Sequence, residues 1–324
     1  MIVGLIRSEV VPPTPEGGPM SVSTASSNAT AAMAVVPRKI MRRTRGHQSG
    51  GPITRLMSPS DLGQFLKPFV FLDIFDADGA TIQGMRDMPL HPHSGIATVT
   101  VIVEGSMCYS DPAIGSGTLG YGGVEWMRAG GGVWHGKELS GEDVPRILGF
   151  QLWLSLPAEL ENSEPVSRYI EAKDMVSAGP AHIIVGSHQG VQSPVPALEG
   201  VNYLLVTLRP GERWTYAPPA DHTVGWLALA KGSLDAGSPV AAGEMVIFES
   251  GQAPIELAAS GRDDAVFVLG SAVPHPYPLH LGYYSVHTSA QALAAGESRI
   301  AELGRNMQEA GDRRTASGTI PVFR

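Results

Sequence analysis

His91-Pro92-His93 puts two imidazoles two residues apart. In extended chain, residues i and i+2 point to the same face, so these rings project side by side. A third histidine, His135, follows in a later strand-like run, behind Ala129-Gly130-Gly131-Gly132-Val133-Trp134. Only His47 precedes the group, and no other histidine falls between His93 and His135. Two imidazoles on one face, met by a third from another strand, can hold a divalent metal facially and leave its far side open. The pair alone reads equally well as a polar turn before a strand. The third histidine turns the reading toward a metal pocket.

The elements that must position these rings are mostly strands. Residues 98–103 (Thr-Val-Thr-Val-Ile-Val) are β-branched and apolar, the pattern of a buried strand. Similar runs occupy 69–75, 106–109, 124–127 and 148–156. Asp76-Ala77-Asp78-Gly79 reads as a turn, and 111–123, with five glycines, as a loop or hairpin tip. Ser58-Pro59-Ser60-Asp61 has the form of a helix start with Ser58 as N-cap, soon ended by Pro68. Residues 157–180 carry Pro157, Pro165 and Pro180 without a clear period and read as a linker. Strand runs resume at 182–185, 203–208, 224–229, 245–248 and 265–269, and a helical pattern covers 288–303, capped by Thr288 or Ser289. The expected fold is all-β: two antiparallel barrels with a few short helices, since closing the sheets removes exposed edges. The expected division is an unstructured extension at 1–36, a first barrel at 37–165 with the metal site, a second at 166–304 with a closing helix, and a loose tail at 305–324.

Composition supports a packed chain of this kind. Of 324 residues, 43% are hydrophobic and 17% charged, and 39 glycines with 26 prolines suit many short strands joined by turns. A formal charge of −8 argues against wrapping nucleic acid by bulk charge. The basic run Pro37–Arg45 is better read as a charged edge strand than as a nucleic-acid arm. No apolar run is long enough to cross a membrane, and the start, 1–6, is too short for a signal-peptide core. A single cysteine, Cys108, excludes an intramolecular disulfide framework and fits a reducing, cytoplasmic setting.

Taken together, several segments resemble the pirin family, a branch of the bicupin proteins. They are Pro68-Phe69-Val70-Phe71-Leu72-Asp73-Ile74-Phe75, His91-Pro92-His93-Ser94-Gly95, Glu104-Gly105 and Glu125-Trp126-Met127-Arg128-Ala129-Gly130. Gly282-Tyr283-Tyr284-Ser285-Val286-His287-Thr288 resembles the family's closing motif more weakly. The likeness spans roughly residues 40–300 and is specific only in the first half. It implies two cupin barrels with iron or another divalent metal in the first; nickel, manganese, copper and zinc stay open. The implied ligands are His91, His93 and His135, with a glutamate two residues later. That position holds Lys137, and Glu138 comes one residue late, on the opposite face of a regular strand. The other usual carboxylate position is Ala97. Glu138 is therefore the candidate fourth ligand and acid–base group, reaching the metal through a bulge at Gly136. A three-histidine centre completed by a substrate anion, or loss of the metal, are the alternatives.

The resemblance implies a dioxygenase of the quercetinase type acting on a small aromatic, flavonol-like substrate. The rival it implies is a regulator that binds a transcription factor or metabolic enzyme, with no direct contact to nucleic acid or membrane. Trp126, Trp134 and Trp153 are candidates for an aromatic pocket, though at least two read as core. Glu104 reads as a solvated strand-end acid before a general base, and Cys108 as a small core residue. His182, His188 and His222 lack a His-x-His pair, and His275, His280 and His287 read as surface or packing residues.

Overall fold

The β-branched runs become strands, and the named strands pair antiparallel. The computed structural model describes residues 36–309, apart from 49–50, 80, 82–89, 112–113, 137–138, 142–143 and 197. In chain order the first half carries β1 (Ile40–Thr44), β2 (His47–Gln48), β3 (Ile53–Met57), helix α1 (Gly63–Leu66), β4 (Phe69–Asp78), β5 (His91–His93) and β6 (Ile96–Glu104). Then come β7 (Met107–Asp111), β8 (Gly115–Leu119), β9 (Val124–Arg128), β10 (Val133–His135), β11 (Leu139–Gly141), β12 (Arg146–Ser155) and β13 (Val166–Ile170). Seven of them form one sheet in the order β13-β9-β6-β12-β4-β3-β2. Two small sheets, β10-β5 and β11-β7-β8, lie over one face of it. Tyr109 of β7 stacks on Tyr169 of β13, and His93 of β5 packs on Trp153 of β12.

The second half repeats this plan. Ser177–Ala178, Ala181–Val185, Val201–Leu208, Ala265–Ala272, Val224–Lys231 and Met245–Phe248 build another seven-stranded sheet, completed at its edge by β1. A four-stranded sheet from Arg213–Tyr216, Ile255–Ala259, Ser233–Asp235 and Pro239–Ala241 covers its inner face, with Trp214, Tyr216 and Leu257 packed on Leu204, Val206 and Phe267. The fold is thus two cupin-type β-barrels.

Period-two alternation decides what lies between the barrels. Leu72, Ile74, Val99, Val101, Trp126, Phe150 and Leu152 point away from the first barrel's interior and interlock with Tyr203, Leu205, Trp226, Ala228 and Val268 of the second sheet. The edge of Trp226 meets Phe69 at 5.2 Å between ring centroids. Trp226 is fully buried, so Trp226→Ala is expected to lower stability by about 3–5 kcal/mol, read by urea denaturation. A loss under about 1 kcal/mol would mean that the two sheets do not share this core.

Several expectations are corrected in detail. β4 runs through Asp76–Asp78, where a turn was expected, because Arg146 of β12 grips Asp76 with two 2.7 Å hydrogen bonds. Part of the glycine-rich loop is a strand, β8, paired with β7, and part of the proline-bounded linker is β13, paired with β9. α1 starts at Gly63, not after Ser58; the Ser58 N–H donates to Asp61 Oδ1 within a preceding turn. The long helix α2 (Ala290–Glu309) extends past Leu303 into the expected tail, with Ser289 accepting from the Ala292 N–H at its start. The basic run is an edge strand: β1 pairs with Met245–Phe248, and Arg43 and Arg45 face Glu244. Residues 1–35 and 310–324, including most of the expected extension and tail, lie outside the described residues.

Candidate metal centre

β5 and β10 pair so that His135 lies opposite His91 and Val133 opposite His93. The alternation that aims His91 and His93 to one face also aims His135 there, and one ligand nitrogen from each lies within 4.8 Å of the others. Ring centroids are 5.0 Å apart for His91–His93, 4.6 Å for His91–His135 and 5.0 Å for His93–His135. Three imidazoles so close can stay together only if they are neutral or share a cation. Burial, then the neighbouring imidazole His91, holds His135 down to about 3. The same causes, with His135 added, push His93 well below its ordinary value. The unprotonated lone pairs of His93 and His135 therefore lie beside the His91 ring.

The closing segment fixes one of these rings. His93 Nδ1 lies 3.2 Å from the backbone carbonyl of Tyr284, and since a carbonyl can only accept, Nδ1 carries the proton. Nε2 is left as the lone-pair nitrogen, buried and without a hydrogen-bond partner among the described residues. Such a buried lone-pair nitrogen beside two further imidazoles fits a divalent metal, and a carbonyl behind the ligating histidine is the usual way to orient it. Tyr284 sits at φ +53°, and its ring packs near His91 and His93 at 5.6 and 5.7 Å. Burial, with Tyr283 adding to it, pushes its phenol up to about 12. From the other side Trp153 meets His93 edge-on at 4.8 Å and stacks on Phe71 at 4.1 Å; the Arg55 guanidinium caps Phe71.

A buried polar clasp carries Tyr284. Ser94, next to His93, donates to Ser285 Oγ at 2.8 Å and lies 2.9 Å from His287 Nε2. His287 Nδ1 is 3.2 Å from Glu161 Oε2, and Glu161 accepts from the Thr288 N–H and hydroxyl at 2.6 and 2.7 Å. Ser94, Ser285, His287 and Glu161 are all buried. Gly95 makes the docking possible: at φ +73°, a Cβ there would lie 2.0 Å from the Val286 carbonyl. Although this constellation has a serine, a histidine and a carboxylate, Gly95 and Gly296 pack directly on His287, which leaves no room for a substrate.

With this geometry in view, residues 52–154 match the pirin family. A pirin-like protein of Caulobacter vibrioides is 39% identical over 132 residues, 40% of this chain and 47% of that one. Residues 52–154 form a pirin domain. The likeness continues more thinly beyond it: a pirin-like protein of Arabidopsis thaliana is 27% identical over 84% of this chain and 85% of its own length. Among solved structures, a quercetin 2,3-dioxygenase of Acinetobacter baumannii superposes with a TM-score of 0.68 over 86% of this chain and 99% of that chain, at 21% identity, which establishes the bicupin fold. The match to the Caulobacter relative spans about half of that protein's length.

The pirin domain brings His91, His93 and His135 together as expected. Glu138 and Lys137 lie outside the described residues. Ala97 is buried in the core between the barrels, so its side faces away from the histidines. Trp126 belongs to that same core, Trp134 donates from Nε1 to the Ile300 carbonyl of α2, and only Trp153 touches a ligand ring. Glu104, at the far end of β6, pairs with Lys231 and Arg146. Cys108 lies on β7 with Sγ near Thr118, not in the core. His182 meets Ser177, His222 meets Ser271, and His188 packs on Trp214. His287, expected at the surface or in packing, is the buried centre of the clasp. Tyr284 and Glu161 went unread; the closing motif was visible, but a backbone carbonyl leaves no sequence signal.

Proposed function

We propose that the pirin domain is a metal-dependent dioxygenase of the quercetinase type, acting on a small aromatic, flavonol-like substrate. The observation that carries this reading is the convergence of three histidines, with His93 Nε2 lacking a hydrogen-bond partner among the described residues and its Nδ1 held by the Tyr284 carbonyl. His91, His93 and His135 would hold a divalent metal, for which we propose ferrous iron, with Glu138 as fourth ligand and acid–base group. A metal held there would supply Lewis-acid polarisation of vicinal substrate oxygens, which favours the deprotonated hydroxyl. The chain's own part is positional. Trp153 and Tyr284 wall the histidines with aromatic surface and limit the approach of water, while the clasp keeps His93 in one tautomer. The quercetinase likeness in fold supports the reaction class, and the single cysteine of the chain supports a cytoplasmic setting. Among the described residues no helix is long and apolar enough to cross a membrane.

Metal content per chain, measured by plasma mass spectrometry without chelator, is the first test. Wild type is expected near one ion per chain, His93→Ala near zero, and Glu138→Ala reduced if that acid is a ligand. Quercetin-dependent oxygen uptake should follow the metal. An iron-reconstituted wild type that holds metal but consumes no oxygen with any flavonol would end the dioxygenase reading.

A further inference from the structure

One register row on the inner face of the first sheet is polar on five successive strands. Glu125 of β9 faces Thr100 of β6, which faces Gln151 of β12; Gln151 faces Asp73 of β4, and Asp73 faces Arg55 of β3. Two residues along β12 on the same side is Trp153, the ring packed on His93. The row therefore lies about 7 Å along the strands from the residues that touch the histidines.

The ends of the row satisfy one another. The Thr100 hydroxyl donates to Glu125 at 2.8 Å, and Arg55 grips Asp73 with bonds of 2.7 and 3.0 Å. Gln151 stands between these pairs, and its carboxamide makes no hydrogen bond among the described residues. It also keeps partial exposure, while Ile147–Phe150 before it and Leu152–Ser155 after it are buried. β12 is flanked by β4 and β6, and its other face is covered by the second barrel. Solvent can reach Gln151 only through the interior of the first barrel, so the interior is open at this row.

We propose that Gln151 is the specificity-determining residue of a chamber inside the pirin domain, where its carboxamide exchanges hydrogen bonds with a ring hydroxyl or carbonyl of a planar, polyhydroxylated aromatic substrate. The substrate class rests on the dioxygenase reading; the position of the chamber rests on the register and the exposure. A carboxamide both donates and accepts, as a hydroxyl does, and is neutral, so it selects hydroxylation without selecting charge. Glu125 and Arg55 on either side add an acceptor and a donor of opposite sign. A purely structural glutamine would be tied to its neighbours, as Thr100 and Asp73 are.

The test is binding of quercetin and of unsubstituted flavone to zinc-loaded protein under argon, followed by tryptophan fluorescence, for wild type, Gln151→Leu and Gln151→Met. Both variants are expected to keep wild-type zinc content and melting temperature, because they remove no hydrogen bond of the fold. Quercetin should bind about tenfold more weakly to each, with flavone changed by less than about twofold. Equal weakening of both compounds, unchanged quercetin binding, or wild-type protein that binds neither compound would each overturn the proposal. Oxygen uptake by iron-loaded protein is scored separately. Quercetin binding that depends on Gln151 but gives no turnover ends the reaction assignment and keeps the chamber. Turnover indifferent to Gln151 does the reverse.

Discussion

Glu161→Ala is expected to lower stability by about 3–5 kcal/mol and to weaken metal binding by about 10–100-fold, although Glu161 touches none of the three histidines. Glu161 is buried and accepts from the Thr288 N–H and hydroxyl, with His287 Nδ1 at 3.2 Å. Removing the carboxylate leaves three buried polar groups without their partner, each at about 1–3 kcal/mol, with partial relaxation. The second effect follows from the geometry beyond His287. That ring meets Ser94, Ser94 meets Ser285, and the residue before Ser285 supplies the carbonyl that fixes His93. Once the closing segment loosens, His93 can rotate or change tautomer, and one of three ligands is no longer preset. Calorimetry and a competitive zinc titration read the two effects separately. Glu161→Gln keeps an acceptor for Thr288 and should recover most of the stability. An alanine variant that melts early yet binds zinc as tightly as wild type would show that Tyr284 does not hold the ligand.

The same chain of contacts explains what the sequence could and could not reveal. His91, His93 and His135 were legible because strand periodicity converts a spacing of two into a shared face, and a later strand needs only to pair alongside. The two barrels were legible because strand runs bounded by glycine and proline recur through both halves. Register was not legible. Nothing in Thr-Val-Thr-Val or Phe-Gln-Leu-Trp says that Thr100 and Gln151 will stand side by side; the first shows two polar residues and the second one among apolar neighbours, and only pairing makes a row. The clasp was hidden for a related reason. Glu161 and His287 are far apart in sequence, and their role depends on α2 and its leading hairpin returning to the first barrel. Similarly, the exchange of β1 into the second sheet could not be read from a basic run that suits any exposed edge.

The histidine triad also predicts how the metal-free protein responds to acid. In the unfolded chain each imidazole takes up a proton near its ordinary value of about 6.5. In the folded chain His135 stays neutral down to about 3, and His93 is likewise held low, first by burial and then by its neighbours. Below about pH 6.5 the unfolded state therefore binds more protons, and stability must fall as pH falls. Each such histidine contributes a slope of about 1.4 kcal/mol per pH unit, fully absent above about pH 6.5 and, for His135, continuing to about pH 3. Asp73 acts in the opposite sense, since burial raises its carboxyl despite Arg55. Chelator-treated wild type is expected to lose stability steadily between about pH 6.5 and 5, before carboxylates matter, and His135→Phe should be shallower by one histidine's slope. Parallel curves for the two proteins would mean that His135 titrates normally and that the pocket is wet. Metal-loaded protein should behave differently. Because burial and the neighbouring ring hold folded His93 and His135 below their ordinary values, protons compete for these two ligands less than for free imidazoles, and metal loss on acidification should move to lower pH, toward the unfolding transition.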